Sequence, residues 1–159
     1  MPSLYDDIGT DHHWTDHERG LSELRRVARR VVLFSWEPPP HDMWVASEYF
    51  PCFEELVPEG YSIETTAERL GGARVEPVPI PHDCLDGFFH AYRRRPQAYL
   101  DPDARAGISV FALMDEGCVE RGLARLAADL ESGTWERRHA DLLELDELDC
   151  GYRLVVYPP

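Results

Sequence analysis

The stretch PHDCLDGFFHAYRRRP, residues 81–96, holds the densest group of titratable and aromatic residues in the chain. If a helix begins near Asp83, then Asp83, Asp86 and His90 fall on one face, because three- and four-residue spacings match the helical repeat. A carboxylate beside an imidazole suits general acid and base chemistry, since it orients the histidine and keeps its pKa near neutral. The spacing therefore predicts a catalytic acid/base group, which His82 would join from just before the helix.

The same stretch also has a structural interpretation. Asp83 would then cap the helix, and Phe88, Phe89 and Tyr92 would belong to the core. If the stretch forms a pocket wall instead, Phe89 and Tyr92 are candidate substrate contacts. The arginine run at 93–95 either clamps an anionic ligand or forms a solvated helix end that complements the dipole.

A second group of histidines occurs in HHWTDH, residues 12–17. His13 and His17 are four residues apart, one helical turn, and could present two imidazoles to a metal ion. They could equally lie in the loop and cap where a helix begins, which is the interpretation we adopt, so no metal site is predicted. His13 remains a candidate catalytic residue and Trp14 a candidate substrate contact.

Two more candidates belong to the first predicted strand, VVLFSW (Val31–Trp36), and the residues after it. A short apolar run with β-branched residues is typical of a strand buried on both faces. His41 follows the strand, where open α/β sheets bind ligands, and Trp36 closes it. His41 is therefore a candidate catalytic residue and Trp36 a candidate substrate contact.

Composition restricts the class of partner. The chain has 159 residues, 43% of them hydrophobic, which suffices for the core of a single domain over residues 1–159. A formal charge of −14 would repel nucleic acid and anionic membranes. Because no secretory signal or bilayer-spanning apolar run is present, we expect a cytoplasmic protein without membrane contact. The four cysteines form no CxxC pair and are expected to be buried free thiols.

Caps and breakers predict the remaining elements. A capping box of Thr15 and Glu18 starts the first helix, and the prolines of ARVEPVPIP, residues 73–81, place that extended segment at a sheet edge. GYRLVVYPP, residues 151–159, is predicted as the last strand. Further helices are predicted over residues 41–51, from Ser62 to Gly71, and over residues 83–95, 102–114, 117–131 and 134–145.

Several segments resemble bacterial class I S-adenosylmethionine-dependent methyltransferases of the type 11 kind. YDDIG (Tyr5–Gly9) resembles their N-terminal substrate-side segment, and residues 11–38 resemble the part from just after the fourth strand through the fifth. Residues 79–109 and GYRLVV (Gly151–Val156) are similar to the C-terminal part of the small-molecule enzymes. The resemblance implies an α/β fold, a partial Rossmann-like methyltransferase fold with about three strands and an extra C-terminal helical region.

The cofactor site of those enzymes has no counterpart in the sequence. Its glycine-rich turn lets the backbone approach the cofactor closely, yet this chain contains no GxGxG. Gly71 and Gly72 follow a predicted helix and fit a C-cap instead. The chain thus resembles a truncated methyltransferase with an apparent deletion near residues 10–11. We expect no cofactor and no methyltransferase activity from this chain alone.

The apparent deletion also predicts association. In the resembling fold the fifth strand lies beside the fourth, so loss of the fourth leaves the backbone edge of Val31–Trp36 open. An apolar open edge favours pairing with another strand. We expect a homodimer through that edge or through a swapped element, or else a partner chain that covers it.

Two classes of function are compatible with these features. The first is a SAM-independent enzyme of secondary metabolism that binds a small molecule, for example a cyclase, isomerase or dehydratase using acid/base groups. The second is a non-catalytic binding or accessory subunit. An inactive truncated methyltransferase is a third alternative, because fold does not fix function.

Overall fold

The structure is a computed structural model that describes residues 16–39, 42–57 and 62–158. The chain forms two compact units, each built from separate stretches of sequence. Of the described residues, the sheet unit comprises 16–38, 62–79 and 151–158, and the helical unit comprises 39, 42–57 and 80–150. That both belong to a single domain stays a prediction.

The sheet unit contains a small antiparallel sheet beside two helices. The elements of this unit are α1 (His17–Val27), β1 (Val31–Trp36), α2 (Ile63–Arg69), β2 (Arg74–Pro77) and β5 (Tyr152–Tyr157). Within the described residues the sheet has three strands in the order β1-β5-β2, and both pairings with β5 are antiparallel. The predicted small sheet, its last strand and the edge position of β2 are confirmed.

Strand β1 alternates in burial instead of being buried on both faces as predicted. Val31 and Leu33 are buried and pack with Leu21 of α1 and Val155 of β5, whereas Val32 between them is 42% exposed. The reason is that the core formed with α1 and α2 lies against one face of the strand, and successive side chains of a strand point to opposite faces. The strand itself was predicted correctly, but its environment was not.

The helix caps follow the predictions in part. Helix α2 begins after Ser62, whose side chain accepts a hydrogen bond from the Thr65 N–H, and Gly71 follows with φ +91°, as expected for a left-handed end. Helix α1 begins one residue later than predicted. Asp16 is its N-cap and accepts from the Arg19 N–H, because a carboxylate is as good an acceptor there as a threonine hydroxyl.

The helical unit is built from short helices and turns around α4 (Glu116–Glu131). The predicted helix over 117–131 is confirmed as α4, while the segments predicted over 102–114 and 134–145 are each divided into shorter pieces. The other regular elements are β3 (Ile80–Pro81), α3 (Pro102–Ala106), α5 (Thr134–Arg138), α6 (Ala140–Glu144) and β4 (Glu147–Leu148). Short stretches of 3₁₀-helix cover Pro51–Leu56, Pro96–Leu100 and Ser109–Ala112.

The helix predicted over 83–95 does not form. Residues 89–93 are all buried, so this segment passes through the interior as successive turns. A surface helix buries one stripe of residues, not five in succession. Arg93 is 0% exposed, and it donates to the backbone carbonyls of Ile80 and Leu145 at 2.9 and 3.1 Å. The arginine run is therefore structural at its first position.

Cys52 and Cys118 form a disulfide within the helical unit, between the 3₁₀ turn after Pro51 and the first turn of α4. The prediction of four free thiols is therefore wrong for this pair. Their separation of 66 residues gives no local sequence signal for pairing. Cys150 is a buried thiol that forms no disulfide, as predicted, and Cys84 is a half-buried thiol that also forms none.

Candidate functional site

The predicted acid/base residues do not share a helical face. Asp83 and Asp86 are exposed and His82 is half-buried, in the turns after β3, where the Asp86 carboxylate accepts a hydrogen bond from the Gly87 N–H. His90 is 2% exposed, and burial lowers its pKa to about 3. A neutral imidazole in the interior does not act as a general acid at neutral pH. His90 is therefore separated by burial from His82, Asp83 and Asp86, which are half-buried or exposed.

The predicted aromatic contacts lie in the core of the helical unit. Phe89 is 5% exposed and stacks on Phe53 with ring centroids 4.8 Å apart. Tyr92 is 7% exposed and packs edge to face against Tyr99. Both side chains contribute packing here, which agrees with the structural interpretation of this stretch.

The remaining candidates do not add to that group. Trp36 ends β1 in the sheet unit and is half-buried. His13, Trp14 and His41 lie outside the described residues. Across the described parts of the chain, no group of three or more His, Cys, Asp or Glu side chains is placed to hold a metal ion.

A different constellation surrounds a turn of π-helix at Val45–Tyr49. The turn widens the backbone so that the Phe50 N–H donates to the Val45 carbonyl at 3.0 Å, a five-residue step. Such single π turns occur frequently at functional sites. This turn places Trp44, Glu48 and Tyr49 opposite α4 and α5.

Five side chains form a continuous polar network across this turn, which we call the π-turn network. His139 Nε2 lies 3.2 Å from Glu48 Oε1, and Arg138 Nη1 lies 2.5 Å from Glu48 Oε2 and 3.3 Å from Asp129 Oδ2. The Tyr49 hydroxyl donates to the same Asp129 oxygen at 2.7 Å. Its members are Glu48, Tyr49, Asp129, Arg138 and His139.

The electrostatics of the π-turn network favour a neutral phenol and a neutral imidazole. Burial and the hydrogen bond to Asp129 raise the pKa of Tyr49 well above its ordinary value, so the phenol keeps its proton. Burial lowers the pKa of His139, although the Glu48 carboxylate opposes that shift. The hydrogen bond from Tyr49 lowers the pKa of Asp129, which stays ionised.

Two indole rings form the apolar side of the same site. Trp44 and Trp135 are 5% and 1% exposed and pack edge to face with centroids 5.1 Å apart. The His139 ring lies 5.6 Å from Trp44 and 5.1 Å from Trp135. Both indole nitrogens are shielded from solvent and have no hydrogen-bond acceptor in the structure. These three rings pack directly against one another.

Sequence reasoning missed this site because its members come from distant segments. Tyr49 and Asp129 are 80 residues apart, and Glu48 and Arg138 are 90 apart. The only local signal is the composition of MWVASEY at 43–49, where aromatic and acidic residues occur together. Without knowledge of the packing of α4, that signal does not point to a site.

Comparison with known proteins gives one informative relationship. No protein-family model matches the sequence, and no curated protein matches it. Among solved structures, the chain is similar to a protein of Anabaena variabilis ATCC 29413 described as a "Putative methyltransferase from antibiotic biosynthesis pathway". The TM-score is 0.86 and the sequence identity 33%, over 94% of this chain and 63% of that chain.

The similarity defines the fold class. The chain has a methyltransferase-like fold of mixed α/β type with a small sheet. It spans less than two thirds of the length of its structural relative, so more than a third of that protein has no counterpart here. None of the described helices is long and apolar enough to cross a membrane.

Proposed function

We propose that this methyltransferase-like protein acts on a small molecule of a biosynthetic pathway and does so without S-adenosylmethionine. The observation that carries the proposal is the partial match, 94% of this chain against 63% of a relative described as belonging to an antibiotic biosynthesis pathway. The sequence also contains no GxGxG turn, the element that lets an enzyme's backbone approach a cofactor of this kind closely. The segments present in this chain include the one that resembles the N-terminal substrate-side segment of such methyltransferases, Tyr5–Gly9.

Acid/base chemistry is the reaction type that the remaining side chains support. His82, Asp83 and Asp86 lie together in sequence on an accessible segment, and His82 is half-buried. A cyclase, isomerase or dehydratase needs a proton donor and acceptor but no methyl donor. His90 is better regarded as a core residue, because it is buried and burial lowers its pKa to about 3.

Isothermal titration with S-adenosylmethionine and S-adenosylhomocysteine tests the proposal, with light scattering of the same sample to give the mass. We expect no heat of binding from folded protein at ligand concentrations up to about 1 mM, a range that detects millimolar dissociation constants. Micromolar binding would overturn the proposal, because it would require a cofactor site that the sequence does not show.

A second candidate function is that of an accessory subunit or homodimer whose contact is strand β1. The observation that favours it is the position of β1 at the end of the described sheet, with Val32 42% exposed. End strands with apolar side chains pair readily with other strands. The partner is then either a second copy of this chain, paired through the Val31–Trp36 edge, or a different chain. A different chain would supply a segment that the longer relative has and this chain does not.

Val32→Lys tests this second candidate, since a charged side chain on an end strand opposes strand pairing. We expect light scattering to show a dimer for the wild type and a monomer for the variant. Leu113→Lys is the matched control, because Leu113 is a comparably exposed leucine in the helical unit, 57% exposed. A monomeric wild type would exclude the homodimer, and a monomer with Leu113→Lys would exclude β1 as the contact.

A further inference from the structure

We propose that an arginine patch on the sheet unit binds the acidic helical unit of a second copy of this chain. The patch lies where α1, α2 and β5 end and where β1 and β2 begin. It comprises six exposed arginines, Arg25, Arg26, Arg29, Arg30, Arg69 and Arg74. This contact goes beyond the proposed function, because it involves neither the cofactor nor strand pairing along the edge of β1.

Contacts around Tyr157, the last residue of β5, bring the arginines together. The Arg25 guanidinium lies over the Tyr157 ring, 5.3 Å from its centroid, and donates to the Arg69 carbonyl at 3.5 Å. In the sheet, Tyr157 pairs with the residue after Arg30, and the residue before Tyr157 pairs with Arg74. Arginines of α1, α2, β2 and the loop before β1 therefore share one end of the sheet.

Helix dipoles and ion pairs account for only part of this positive charge. Three of the six arginines lie in the last turn of α1 or α2, where a cation complements the partial negative charge of the helix end. Arg26 and Arg74 form ion pairs with carboxylates. Arg29 and Arg30 do neither within the described residues, and both are exposed. Their charge is therefore available to a partner molecule.

The charge of the chain is divided unevenly between the two units. Among the described residues, the sheet unit has eight arginines and seven carboxylates, whereas the helical unit has eight arginines and nineteen carboxylates. A nucleic acid or an anionic membrane extends beyond a patch of this size and would be repelled by the acidic remainder. An acidic protein surface of limited area matches the patch without that repulsion.

The helical unit contains such a surface. Residues 141–149, which we call the acidic stretch, carry five carboxylates and no arginine, and Leu145 among them is 39% exposed. Val27, which lies within the arginine patch, is 53% exposed. Because exposed ion pairs contribute only about 0–1 kcal/mol each, association needs several of them together with apolar contact. Both surfaces supply that combination, so a second copy is the partner that fits.

Ionic strength distinguishes this contact from apolar strand pairing. Each copy carries a net charge of −14, and the resulting long-range repulsion is largely screened in about 0.1 M salt, where the Debye length is about 10 Å. Exposed ion pairs in direct contact are screened only near 1 M salt, where that length is about 3 Å. We therefore expect light scattering of about 0.1 mM protein to show at least two chains per particle in about 0.1 M NaCl and one in about 1 M NaCl.

Arg29→Glu combined with Arg30→Glu tests the patch. Both side chains are exposed, so the fold should persist, which thermal melts check. We expect the dissociation constant in about 0.1 M NaCl to rise at least about tenfold. Arg19→Glu combined with Arg121→Glu is the matched control, because it makes the same change in net charge at two exposed arginines outside the patch. The control should associate like the wild type.

Charge reversal on the second surface identifies the partner segment. Glu144 and Glu147 are exposed and form no ion pair within the described residues. Glu144→Arg combined with Glu147→Arg should be monomeric alone. Mixed with the variant reversed at 29 and 30, it should regain a mass of at least two chains, because each surface then meets its complement. Unfolded variants could not restore association in this way.

The outcomes separate the arginine patch from the other proposals. A wild type that stays monomeric up to about 0.5 mM in about 0.1 M NaCl would overturn it, as would equal loss of association in the control or no recovery on mixing. Association that survives reversal at 29 and 30 but is lost with Val32→Lys would show strand pairing through β1 instead. Titration with S-adenosylmethionine is independent of all these masses, so either proposal can fail without the other.

Discussion

Gly122 of α4 faces the backbone of Tyr49 so closely that a Cβ atom at position 122 would lie 2.2 Å from the Tyr49 carbonyl oxygen. It would also lie 2.6 Å from two ring carbons of Phe50. Real Cβ atoms do not approach backbone at that distance, so glycine is what allows α4 to pack against the π-helical turn. The π-turn network depends on this contact, because Asp129 belongs to the same helix.

Gly122→Ala should therefore destabilise the protein, although alanine is the better helix former by about 1 kcal/mol. Overpacking against backbone costs about 1–3 kcal/mol or more, which outweighs the gain in helix propensity. We expect a lower urea midpoint and a changed environment of Tyr49. Gly117→Ala is the control in the same helix, since its Cβ would meet only side-chain atoms of Arg121 and Asp115, at 3.1 and 3.4 Å. Equal stability of the two variants would contradict the argument.

Arg93 is predicted to contribute to stability through its hydrogen bonds and not through an ion pair. Its guanidinium is buried and donates to the carbonyls of Ile80 and Leu145, joining β3 to the segment that precedes β4. Arg93→Met leaves two carbonyls without this donor, at about 1–3 kcal/mol each, partly offset because a buried charge is removed. We expect a net loss of about 2 kcal/mol in urea unfolding.

Arg94→Met is the matched control for that measurement. The Arg94 guanidinium contacts Asp146 at 3.3 Å, but the Asp146 side chain is 93% exposed. Exposed ion pairs contribute about 0–1 kcal/mol, so the midpoint should change little. A larger loss of stability for Arg94→Met than for Arg93→Met would mean that the arginines at 93–95 stabilise the protein through surface charge.

The sequence predicted elements whose pattern is local and missed contacts that are not. Strand β1 is a short apolar run with β-branched residues, α4 is the longest of the described helices, and the prolines beside β2 identified a sheet edge correctly. The segment 83–95 carries helical spacings, yet the burial of residues 89–93 depends on what packs around them. The π-turn network unites residues from both ends of the helical unit, and no single stretch contains its pattern.

His90 predicts a pH dependence of stability. Burial lowers its pKa to about 3, whereas the unfolded chain has the ordinary value of about 6.5. Between these values the unfolded state binds a proton that the folded state excludes, so stability is lost as the pH falls from about 6.5 towards 3. At pH 5–6 this contributes a slope of up to about 1.4 kcal/mol per pH unit.

His90→Leu should remove that slope while keeping a buried side chain of similar size. Urea midpoints measured between pH 5 and 7.5 should then decline less steeply than those of the wild type. His139 contributes a slope of the same sign in both proteins, because burial also lowers its pKa. Identical slopes for variant and wild type would show that position 90 does not exclude a proton in the folded state.

The Cys52–Cys118 disulfide should stabilise the helical unit by restricting the unfolded chain. For a loop of 66 residues the loop-entropy relation gives about 4 kcal/mol. A change of that size corresponds to roughly 10 °C in the melting temperature of a chain this long.

Cys52→Ser or Cys118→Ser should therefore lower the melting temperature, and a dithiol reductant should do the same to the wild type but not to either variant. Cys84→Ser is the control, because Cys84 is a free thiol whose replacement leaves the loop closed. If the reductant lowers the melting temperature of the Cys52→Ser variant as well, the stabilisation does not come from this bond.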